Sequence, residues 1–446
     1  MSMDTNYPNE SLTDIPYNFV ITKNRIALKI YGREFNLESL ARKFGTPLDI
    51  AFPHTSVDRI DSIFSNFRRA AESSGFNAKL SYFYPMKVNP RKEILTEILR
   101  CTNSDVGIEV GDVFELRILL NNFSSEIKHR KLVFHGPKSK EYLDQITKLN
   151  DRGFDVIMVL EDPMELYELR AAYKKKIKLG VRINTGEKDR FGMSLKDAID
   201  ISSSIRDDLA LLHLHFGEPV DLGQLRHGLL ELGTLLKNLS AEQIKSLIID
   251  AGGGITFSDA GQVARYGLKK YFGCVINAIK ELNLNLPHSI MHVALEAGRW
   301  VAAVSQLTIF KTIQLKHLNN KYRYVIDGSF ITDLPDTWGI NKKWTIFPIN
   351  LLNLKRVKAY LDGVTCDSDD LYTKVTPELI SLPKLNSTNK ELFLCIAYTG
   401  AYQDTLGNHH CAIPDAIKIL IDESGGVKRI NSRQFDDMQR IFGYGK

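Results

Sequence analysis

The feature that most restricts the fold is a regular alternation of apolar and amphipathic segments along the middle of the chain. Eight apolar segments, roughly 25–45 residues apart, have the composition of buried strands: Ser81–Met86, Val106–Val110, Lys131–Phe134, Val156–Leu160, Leu179–Ile183, Leu211–Phe216, Leu247–Asp250 and His292–Leu295. Segments with helical periodicity separate them, for example Arg91–Leu99, Val113–Leu120, Lys140–Leu149 and Glu165–Lys174. Eight strand-then-helix units over about 250 residues are what a closed (β/α)₈ barrel needs. An open doubly wound sheet remains the alternative, because periodicity does not show closure.

The pattern changes after about Gln306, where helical spacing fades and short alternating segments predict strands. The predicted strands are Leu307–Gln314, Tyr322–Asp327, Trp344–Ile349, Arg356–Leu361, Glu391–Ala397 and Ala416–Ile421. A final helix is predicted within residues 430–442. The fold class is therefore α/β, with a (β/α)₈ barrel followed by a β-rich domain.

The domain boundaries follow from these two patterns. We predict a disordered tail over residues 1–16 and an N-terminal segment, residues 17–47, that joins the β domain. Within that segment, Tyr17–Ile21 and Arg25–Ile30 are predicted strands and Leu37–Phe44 a helix. The barrel is predicted over residues 48–305 and the β domain over 306–446.

Composition excludes several classes of function. The chain has 446 residues and a net charge of +5 that is spread along its length, so neither nucleic acid nor membrane binding is predicted. Its five cysteines are odd in number and never spaced as C-x-x-C, which argues against a disulfide framework or a metal site. No apolar run reaches the ~18 residues of a membrane span, and no signal peptide is recognised. A cytoplasmic protein is expected.

Candidate reactive residues stand at the ends of the predicted barrel strands, where barrel enzymes place their active sites. Lys87 ends the first strand, Glu109 ends the second, His135 follows the third and Arg182 lies in the fifth. A lysine at the end of a buried strand is expected to be partly desolvated, which favours the neutral amine that attacks a carbonyl. A solvated lysine at a strand end is the alternative.

The sixth strand carries His213 and His215, which share one face because side chains alternate along a strand. A buried histidine that only satisfies its own hydrogen bonds is the alternative for each of them. His215 lies at the strand end, just before a glycine, and is therefore the better candidate for a functional role.

Two further strand ends carry groups suited to a phosphorylated ligand. Gly252, Gly253 and Gly254 expose backbone N–H groups to an anion, although three glycines can also form only a tight turn. Glu296 and Arg299 offer a carboxylate for a cationic ring nitrogen and a guanidinium for a phosphate, or else a surface ion pair. An amine, a phosphate cradle, an imidazole and a carboxylate are together what pyridoxal 5'-phosphate needs.

Five short motifs occur in one order along the chain: YPMKVN at 84–89, GIEVG at 107–111, HLHFG at 213–217, DAGGG at 250–254 and EAGR at 296–299. In these the chain resembles the alanine-racemase-fold (fold type III) pyridoxal-phosphate decarboxylases of ornithine, diaminopimelate and arginine. The segments at 334–340, 365–369 and 400–407 are most similar to biosynthetic arginine decarboxylases.

The resemblance implies a role for each matching residue of the cofactor site. Lys87 would hold pyridoxal phosphate covalently, and His215 would stack on the cofactor ring. Glu296 would face the ring nitrogen. The phosphate would be bound by Gly252, Gly253, Gly254, Arg299 and Tyr402, and the site would be completed by Glu109 and Arg182.

The resemblance also implies a homodimer with shared active sites. Cys366 of one subunit would return a proton to the substrate carbon in the other, so Lys87, His215 and Cys366 are the predicted catalytic residues. Asp367 is expected to be buried and to face the distal cationic group of an amino-acid substrate, and Asp370 and Trp338 are expected beside it.

The substrate prediction rests on departures from the family pattern. Residues 327–338 contain no arginine, which diaminopimelate decarboxylases use here, and Gly339 stands where ornithine decarboxylases have an acidic residue. Glu218 replaces a small hydroxyl residue and is expected to point away from the phosphate or to contact substrate. Arginine is the predicted substrate.

Alternative functions stay open on the sequence alone. The chain could decarboxylate ornithine, lysine or diaminopimelate, or a conjugated amino acid of a secondary-metabolite pathway. An amino-acid racemase on the same fold is disfavoured by Cys366 and Asp367, because the racemases use a tyrosine base. An inactive regulatory homologue is disfavoured by the intact Lys87 and Cys366.

Overall fold

The computed structural model describes residues 18–21, 25–186, 189–218, 220–255, 267–372, 378–386 and 391–444. The chain divides into two compact units. The barrel unit begins at Ile60 and ends at Trp300, and the β unit combines the chain up to Arg59 with the chain from Val301 onward. The division thus falls at 59 and 301, whereas the sequence suggested 48 and 305, and the first difference arises because a strand at 48–51 pairs within the β unit.

The N-terminal part of the β unit contains a small sheet of its own. Strands β1 (Asn18–Ile21), β2 (Ile26–Ile30) and β3 (Arg33–Asn36) pair antiparallel in that order. Helix α1 (Leu37–Phe44) follows at once, and the Asn36 side chain accepts a hydrogen bond from the Ser39 N–H at 2.8 Å to cap it. Strand β4 (Leu48–Ala51) joins the large sheet of the β unit. The predicted N-terminal strands therefore do not extend that large sheet; β4 does.

The barrel unit contains a closed ring of eight parallel strands. They are β5 (Lys79–Pro85), β6 (Val106–Val110), β7 (Leu132–Phe134), β8 (Val156–Leu160), β9 (Lys178–Arg182), β10 (Leu209–His213), β11 (Ile248–Asp250) and β12 (His292–Leu295). The strands pair in chain order, and β12 pairs with β5 to close the ring. The predicted closed barrel is confirmed, and the open sheet is excluded.

One helix precedes the first barrel strand and the others of this region follow barrel strands, and most begin at a capping side chain. They are α2 (Thr55–Ser73), α3 (Lys92–Arg100), α4 (Val113–Asn122), α5 (Lys140–Asp151), α6 (Pro163–Ala172), α7 (Leu195–Ser204), α8 (Leu222–Leu236), α9 (Ala241–Ser246), α10 (Leu268–Asn283) and α11 (Gly298–Ala302). Asp112, Asp162 and Asp221 each accept backbone N–H groups of the first turn. In the described part of the chain, no helix combines the length and the apolar composition needed to cross a membrane.

The β unit is completed by the C-terminal third of the chain. Its elements are β13 (Gln306–Leu318), β14 (Lys321–Ile326), α12 (Pro335–Ile340), β15 (Thr345–Pro348), β16 (Arg356–Asp362), β17 (Ile380–Pro383), β18 (Phe393–Ala397), α13 (Gln403–Leu406), β19 (Ile417–Ile421), β20 (Val427–Ile430) and α14 (Phe435–Ile441). The strand order is β17-β16-β14-β13-β4-β19-β20, and β18 pairs with β13 and β15. All six strands predicted here are present, together with the final helix, whereas β17 and β20 were not predicted.

Large side chains fill the core of the β unit, among them Phe310, Tyr324, Phe330, Trp344 and Leu394. The barrel interior is filled by smaller groups, mostly aliphatic, as in other packed barrels: Phe83, Val133, Ile157, Val159, Leu211, Ile248 and Ala294. Each Å² of apolar surface that these cores remove from water contributes roughly 25 cal/mol to the stability of the fold.

Candidate active site

Lys87 lies in a single 3₁₀ turn, Met86–Val88, directly after β5. Its Nζ donates a hydrogen bond to Glu109 Oε2 at 2.9 Å, and Glu109 belongs to the neighbouring strand β6. The glutamate side chain is 1% exposed but the lysine side chain is 55% exposed. The expectation of a partly desolvated lysine is therefore not met. A buried carboxylate holds an amine that remains accessible to an incoming group.

Five charged or imidazole side chains form a buried group at the strand ends, here called the barrel-end cluster: His135, Glu161, Arg182, His213 and Glu296. His135 Nε2 lies 2.9 Å from Glu296 Oε1, and its Nδ1 lies 3.9 Å from Glu161 Oε1. Arg182 reaches Glu161 Oε1 at 3.4 Å, and His213 Nε2 lies 3.5 Å from Glu296 Oε2. The cluster joins strands that are far apart in sequence.

The two carboxylates of this cluster are held in the charged form. Burial alone would raise the pKa of Glu296, but the charge of His135 outweighs it and holds that pKa well below its usual range. Glu161 behaves in the same way, because His135 and Arg182 lower its pKa despite burial. Burial would likewise lower the pKa of His135, yet Glu296 and Glu161 raise it to about 9. His135 is therefore an imidazolium at neutral pH, and Glu296 a paired anion.

The two histidines of the sixth strand region stay neutral. Burial lowers the pKa of His213 to about 3, and burial together with Arg182 lowers the pKa of His215 to about 4. Their rings are 6.3 Å apart and nearly parallel, with 9° between the planes. The Gly253 N–H donates to His215 Nδ1 at 3.1 Å, which fixes the orientation of that ring. His215 thus presents a flat, uncharged imidazole.

The glycines after β11 are required by space and backbone conformation. Gly252 has φ +66° and Gly254 has φ +85°, a region that side chains disfavour. A Cβ at Gly252 would lie 2.4 Å from the Leu214 carbonyl oxygen, and one at Gly254 would lie 2.0 Å from the Gly217 carbonyl oxygen. The loop can pack this closely against the loop after β10 only with glycine. The result is a bare backbone surface beside His215.

Asp250, the last residue of β11, is fully buried and was not among the predicted site residues. Its Oδ1 accepts the Gly252 N–H at 2.8 Å, whereas its Oδ2 has no hydrogen-bond partner. Burial, and then repulsion from Glu296, raises its pKa well above the usual range. Two nearby carboxyl groups therefore differ in charge, because Glu296 has cationic partners and Asp250 has none as close.

Arg299, the predicted phosphate ligand, forms an ion pair with Glu218, whose role the sequence did not establish. Its Nε donates to Glu218 Oε2 at 2.8 Å, and the two side chains are 11% and 33% exposed. This bond uses one of the five N–H donors of a guanidinium. Glu218 thus balances the charge of Arg299 in this structure.

The β unit holds Cys366, Asp367 and Asp370 in the loop after β16. Cys366 is exposed, and its Sγ lies 3.9 Å from Sγ of Cys411. Asp367 Oδ2 lies 3.2 Å from His410 Nε2, and the aspartate side chain is 34% exposed, so the expected burial is wrong. These four residues, Cys366, Asp367, His410 and Cys411, are called the cysteine corner below.

The remaining predicted substrate residues have different surroundings. Asp370 is buried, and its carboxylate accepts the Phe330 N–H at 2.8 Å, the Thr365 N–H at 3.0 Å and the Thr365 hydroxyl at 2.7 Å. The structure thus uses Asp370 to hold the loop that carries Cys366. Trp338 is 51% exposed on α12, and Tyr402 precedes α13 with φ +69°.

His135 and His213 were noticed in the sequence but given no role in the predicted site, and Glu161, Asp250 and Glu115 were not among the predicted site residues. Glu115 accepts the Gly111 N–H at 2.7 Å, and burial together with Glu109 raises its pKa to about 7. His135 and Asp250 were visible as polar residues at strand ends. Glu161 directly follows β8, so a strict reading of every strand end would have found it too.

The strand-end residues fit pyridoxal phosphate. Lys87 supplies an amine, the turn at Gly252–Gly254 carries no side chains, and Glu296 supplies a carboxylate kept anionic. Arg182 Nε and both ring nitrogens of His213 are buried without hydrogen-bond partners, so the surroundings are polar enough to take up a further polar group.

Comparison with known proteins points to one family. The model of the pyridoxal-binding domain of pyridoxal-dependent decarboxylases matches residues 60–303, which is more than half of the chain. The chain is 22% identical to the biosynthetic arginine decarboxylase of Bacteroides thetaiotaomicron, over 91% of this chain and 85% of that protein.

Solved structures of this family share the fold. The crystal structure of the biosynthetic arginine decarboxylase of Campylobacter jejuni superimposes with a TM-score of 0.82 at 18% identity, over 98% of this chain and 93% of that one. Diaminopimelate decarboxylase of M. jannaschii, in complex with L-lysine, superimposes with a TM-score of 0.78 at 18% identity, over 95% and 96% of the two chains.

Proposed function

The chain belongs to the pyridoxal-dependent decarboxylase family, and on that premise we propose that it releases CO₂ from an amino acid whose distal group is cationic, arginine being the best single candidate. The observation that most supports this proposal is the composition of the strand ends in the barrel unit. There Lys87 offers an accessible amine held by Glu109, the turn at Gly252–Gly254 has no side chains, and Glu296 is anionic. Each of these matches one functional group of pyridoxal phosphate.

In this proposal Lys87 holds the cofactor through its Nζ, and the Glu109 carboxylate positions that amine. The turn at Gly252–Gly254, with Arg299, would face the phosphate, and the Gly252 and Gly253 N–H groups would have to leave Asp250 Oδ1 and His215 Nδ1 to donate to it. His215 would lie against the face of the ring, which its neutral charge supports. The phosphate contact of Tyr402 and the cofactor contact of Arg182 stay predictions.

Glu296 is the group that tunes the cofactor. When bound, pyridoxal phosphate withdraws electrons from the substrate bond that breaks, and it does so best with its ring nitrogen protonated. Glu296 would accept that N–H and would favour the proton there, because His135 keeps the carboxylate anionic. Asp250 keeps its own proton and adds no second negative charge.

Two residues of the β unit account for the later steps in this proposal. Cys366 returns a proton to the substrate Cα, and we infer that a second copy of the chain supplies it, which requires a homodimer. Asp367 attracts the cationic end of the substrate. A homodimer and a cytoplasmic location are predictions that a sizing column and cell fractionation would check.

The proposed substrate rests on charge. A carboxylate facing a cationic substrate group leaves itself unpaired when a neutral analogue binds, which costs affinity. The absence of arginine from residues 327–338 removes the partner that a distal carboxylate would need. An arginine substrate therefore suits these residues better than diaminopimelate does.

The direct test is CO₂ release from arginine, ornithine, lysine and diaminopimelate by the protein loaded with pyridoxal phosphate. We expect arginine to give the highest kcat/KM. Release from diaminopimelate alone would contradict the cationic assignment. Loss of optical activity without CO₂ would instead identify a racemase, and no turnover of any of the four would favour a conjugated amino acid or an inactive homologue.

A matched pair of variants tests the charge argument. Asp367→Asn should lower kcat/KM for arginine by about tenfold or more, because the distal cation loses a charge-assisted partner. Ser368→Ala, at the exposed neighbouring position, should leave it unchanged. Equal kinetics of Asp367→Asn and the unaltered protein would remove Asp367 from the substrate pocket.

A further inference from the structure

The chain contains two exposed cysteines that lie side by side although they are far apart in sequence. Cys366 and Cys411 are separated by 45 residues, and their Sγ atoms are 3.9 Å apart. The remaining cysteines are Cys101 and Cys395, which are buried, and Cys274, which is half-buried. The cysteine corner is thus a particular arrangement, since nothing in the local sequence brings these two thiols together.

The backbone at Cys411 is in an uncommon conformation that bears on this arrangement. Cys411 has φ +57° and the next residue, Ala412, has φ +58°. Two consecutive residues with side chains in the left-handed region are disfavoured, and such strain persists only where the surroundings impose it. Here it occurs at the residue whose thiol faces Cys366.

The loop that carries Cys366 is anchored by the buried side chain of Asp370. Asp370 binds the backbone of Phe330 and Thr365, so Cys366 extends from a loop whose base is fixed while its own side chain is exposed. A disulfide requires an S–S distance of about 2.05 Å. Rotation of the exposed Cys366 and Cys411 side chains can shorten the Sγ–Sγ distance from 3.9 Å without moving the anchored base of the loop.

We propose that Cys411 is a resolving cysteine, which forms a reversible disulfide with Cys366 when the protein meets hydrogen peroxide. The consequence for activity rests on the proposed function, in which Cys366 is the proton donor. Formation of the disulfide itself does not depend on that function.

The chemistry balances with peroxide as the oxidant. The Cys366 thiolate attacks one peroxide oxygen, the O–O bond breaks, and hydroxide leaves, which gives a sulfenic acid at Cys366. The Cys411 sulfur then attacks the Cys366 sulfur, the S–O bond breaks, and the leaving oxygen departs as water. In total two thiols lose two electrons and two protons, and one hydrogen peroxide becomes two water molecules.

The electrostatics of the corner support this order of attack. Partial desolvation, the neighbouring Cys366 thiol and the Asp367 carboxylate raise the pKa of Cys411. A thiol that is mostly protonated is a poor first nucleophile towards peroxide. It still reacts with a sulfenic acid held next to it, because proximity replaces a bimolecular encounter.

The experiment uses the full-length protein loaded with pyridoxal phosphate, treated with hydrogen peroxide and then with dithiothreitol. Peptide mapping without reduction should find a Cys366–Cys411 cross-link within one chain, and the number of free thiols should fall by two. Activity should fall on oxidation and return on reduction. A Cys411→Ser variant should have unchanged activity before oxidation. After peroxide and then dithiothreitol, it should regain at least about tenfold less activity than the unaltered protein, because the sulfenic acid at Cys366 oxidises further to forms that dithiothreitol does not reverse.

A matched control separates this pair from general oxidation. Cys274→Ser removes a half-buried thiol elsewhere and should behave like the unaltered protein. Separate sulfinic acids at both positions, or a disulfide between chains, would overturn the proposal even if the enzyme is an active decarboxylase. If the intramolecular disulfide forms while activity persists, the switch is overturned, and so is the role of Cys366 in the proposed function.

Discussion

The barrel-end cluster and the cysteine corner are built in opposite ways. In the cluster, His135 and Glu296 are buried and bonded to each other, and the adjacent glycines have no room for a side chain. In the corner, Cys366 and Cys411 are exposed and have each other as a contact at 3.9 Å. The first region is fixed by folding itself, whereas the second depends on a loop held at its base.

This contrast has a consequence for mutations. Changes in the barrel-end cluster should alter the free energy of unfolding as well as the chemistry, because they disturb buried charges and close packing. Changes in the cysteine corner should alter reactivity while leaving stability nearly unchanged. Four experiments, ordered by expected effect on stability, test this difference between the two regions.

The largest effect is expected from Gly254→Ala. A Cβ there would lie 2.0 Å from the Gly217 carbonyl oxygen at a φ of +85°. The clash and the left-handed backbone together should lower the free energy of unfolding by about 3–5 kcal/mol, as measured by urea denaturation. Gly273→Ala is the matched control: it lies in α10 with open space around it, so it should stabilise by up to about 1 kcal/mol. Equal stability of the two variants would refute the steric argument.

The second effect is a pH dependence that comes from His135. Its pKa is about 9 in the folded protein against 6.5 in the unfolded chain. The folded state therefore keeps a proton that the unfolded state releases, so this stabilisation is full below pH 6.5 and is lost as the pH rises through about 9. The loss should be on the order of 3 kcal/mol.

Chemical denaturation of the cofactor-free protein between pH 6 and 10 would measure that loss. His135→Gln should abolish this part of the profile, whereas His129→Gln, at an exposed position, should keep it. A profile that is identical in all three proteins would mean that His135 is not paired as the structure has it.

The third effect concerns Asp370, which fixes the base of the corner loop. Replacing it by alanine leaves the Phe330 N–H without its acceptor and should cost about 2 kcal/mol. Thermal unfolding would measure the change, with exposed Ser368→Ala as the neutral neighbour. If Asp370→Ala is as stable as the unaltered protein but fails to bind substrate, the residue belongs to the substrate pocket, as the sequence first suggested.

The smallest effect on stability is expected from Cys366→Ala. Because this side chain is exposed, the free energy of unfolding should change by less than about 0.5 kcal/mol. Decarboxylation should slow or give a redirected product, while cofactor binding stays intact. Cys395→Ala, in the buried strand β18, is the contrasting variant and should lose about 1 kcal/mol without a change in mechanism. Normal turnover by Cys366→Ala would contradict its assigned role.

The same contrast separates what the sequence could and could not predict. The eight barrel strands were predictable because each is a short, continuous apolar segment followed by a helical pattern. Residues 48–51 were placed in the barrel and strand β4 was not predicted, because four residues carry no sign of which sheet they will pair with. Strands β17 and β20 were missed for a similar reason, since short edge strands have weak patterns.

Site residues were predictable where a local sequence motif marks them. They were not predictable where a contact between residues distant in sequence gives them their surroundings. Lys87 and the glycines follow from local sequence. The pairing of His135 with Glu296 joins residues 161 positions apart, and that of Cys366 with Cys411 joins residues 45 apart. The exposure of Lys87 and Asp367 was also misjudged, because each lies in a turn or loop, two residues beyond β5 and five beyond β16 respectively.

The central claim is that Lys87 carries pyridoxal phosphate at the end of the barrel. The most direct test is to saturate the protein with the cofactor, reduce it with borohydride and map the peptides by mass spectrometry. We expect a pyridoxyl phosphate group on the ε-nitrogen of Lys87, in stoichiometric amount. An unmodified Lys87 in cofactor-saturated protein, or the same group on another lysine, would contradict it.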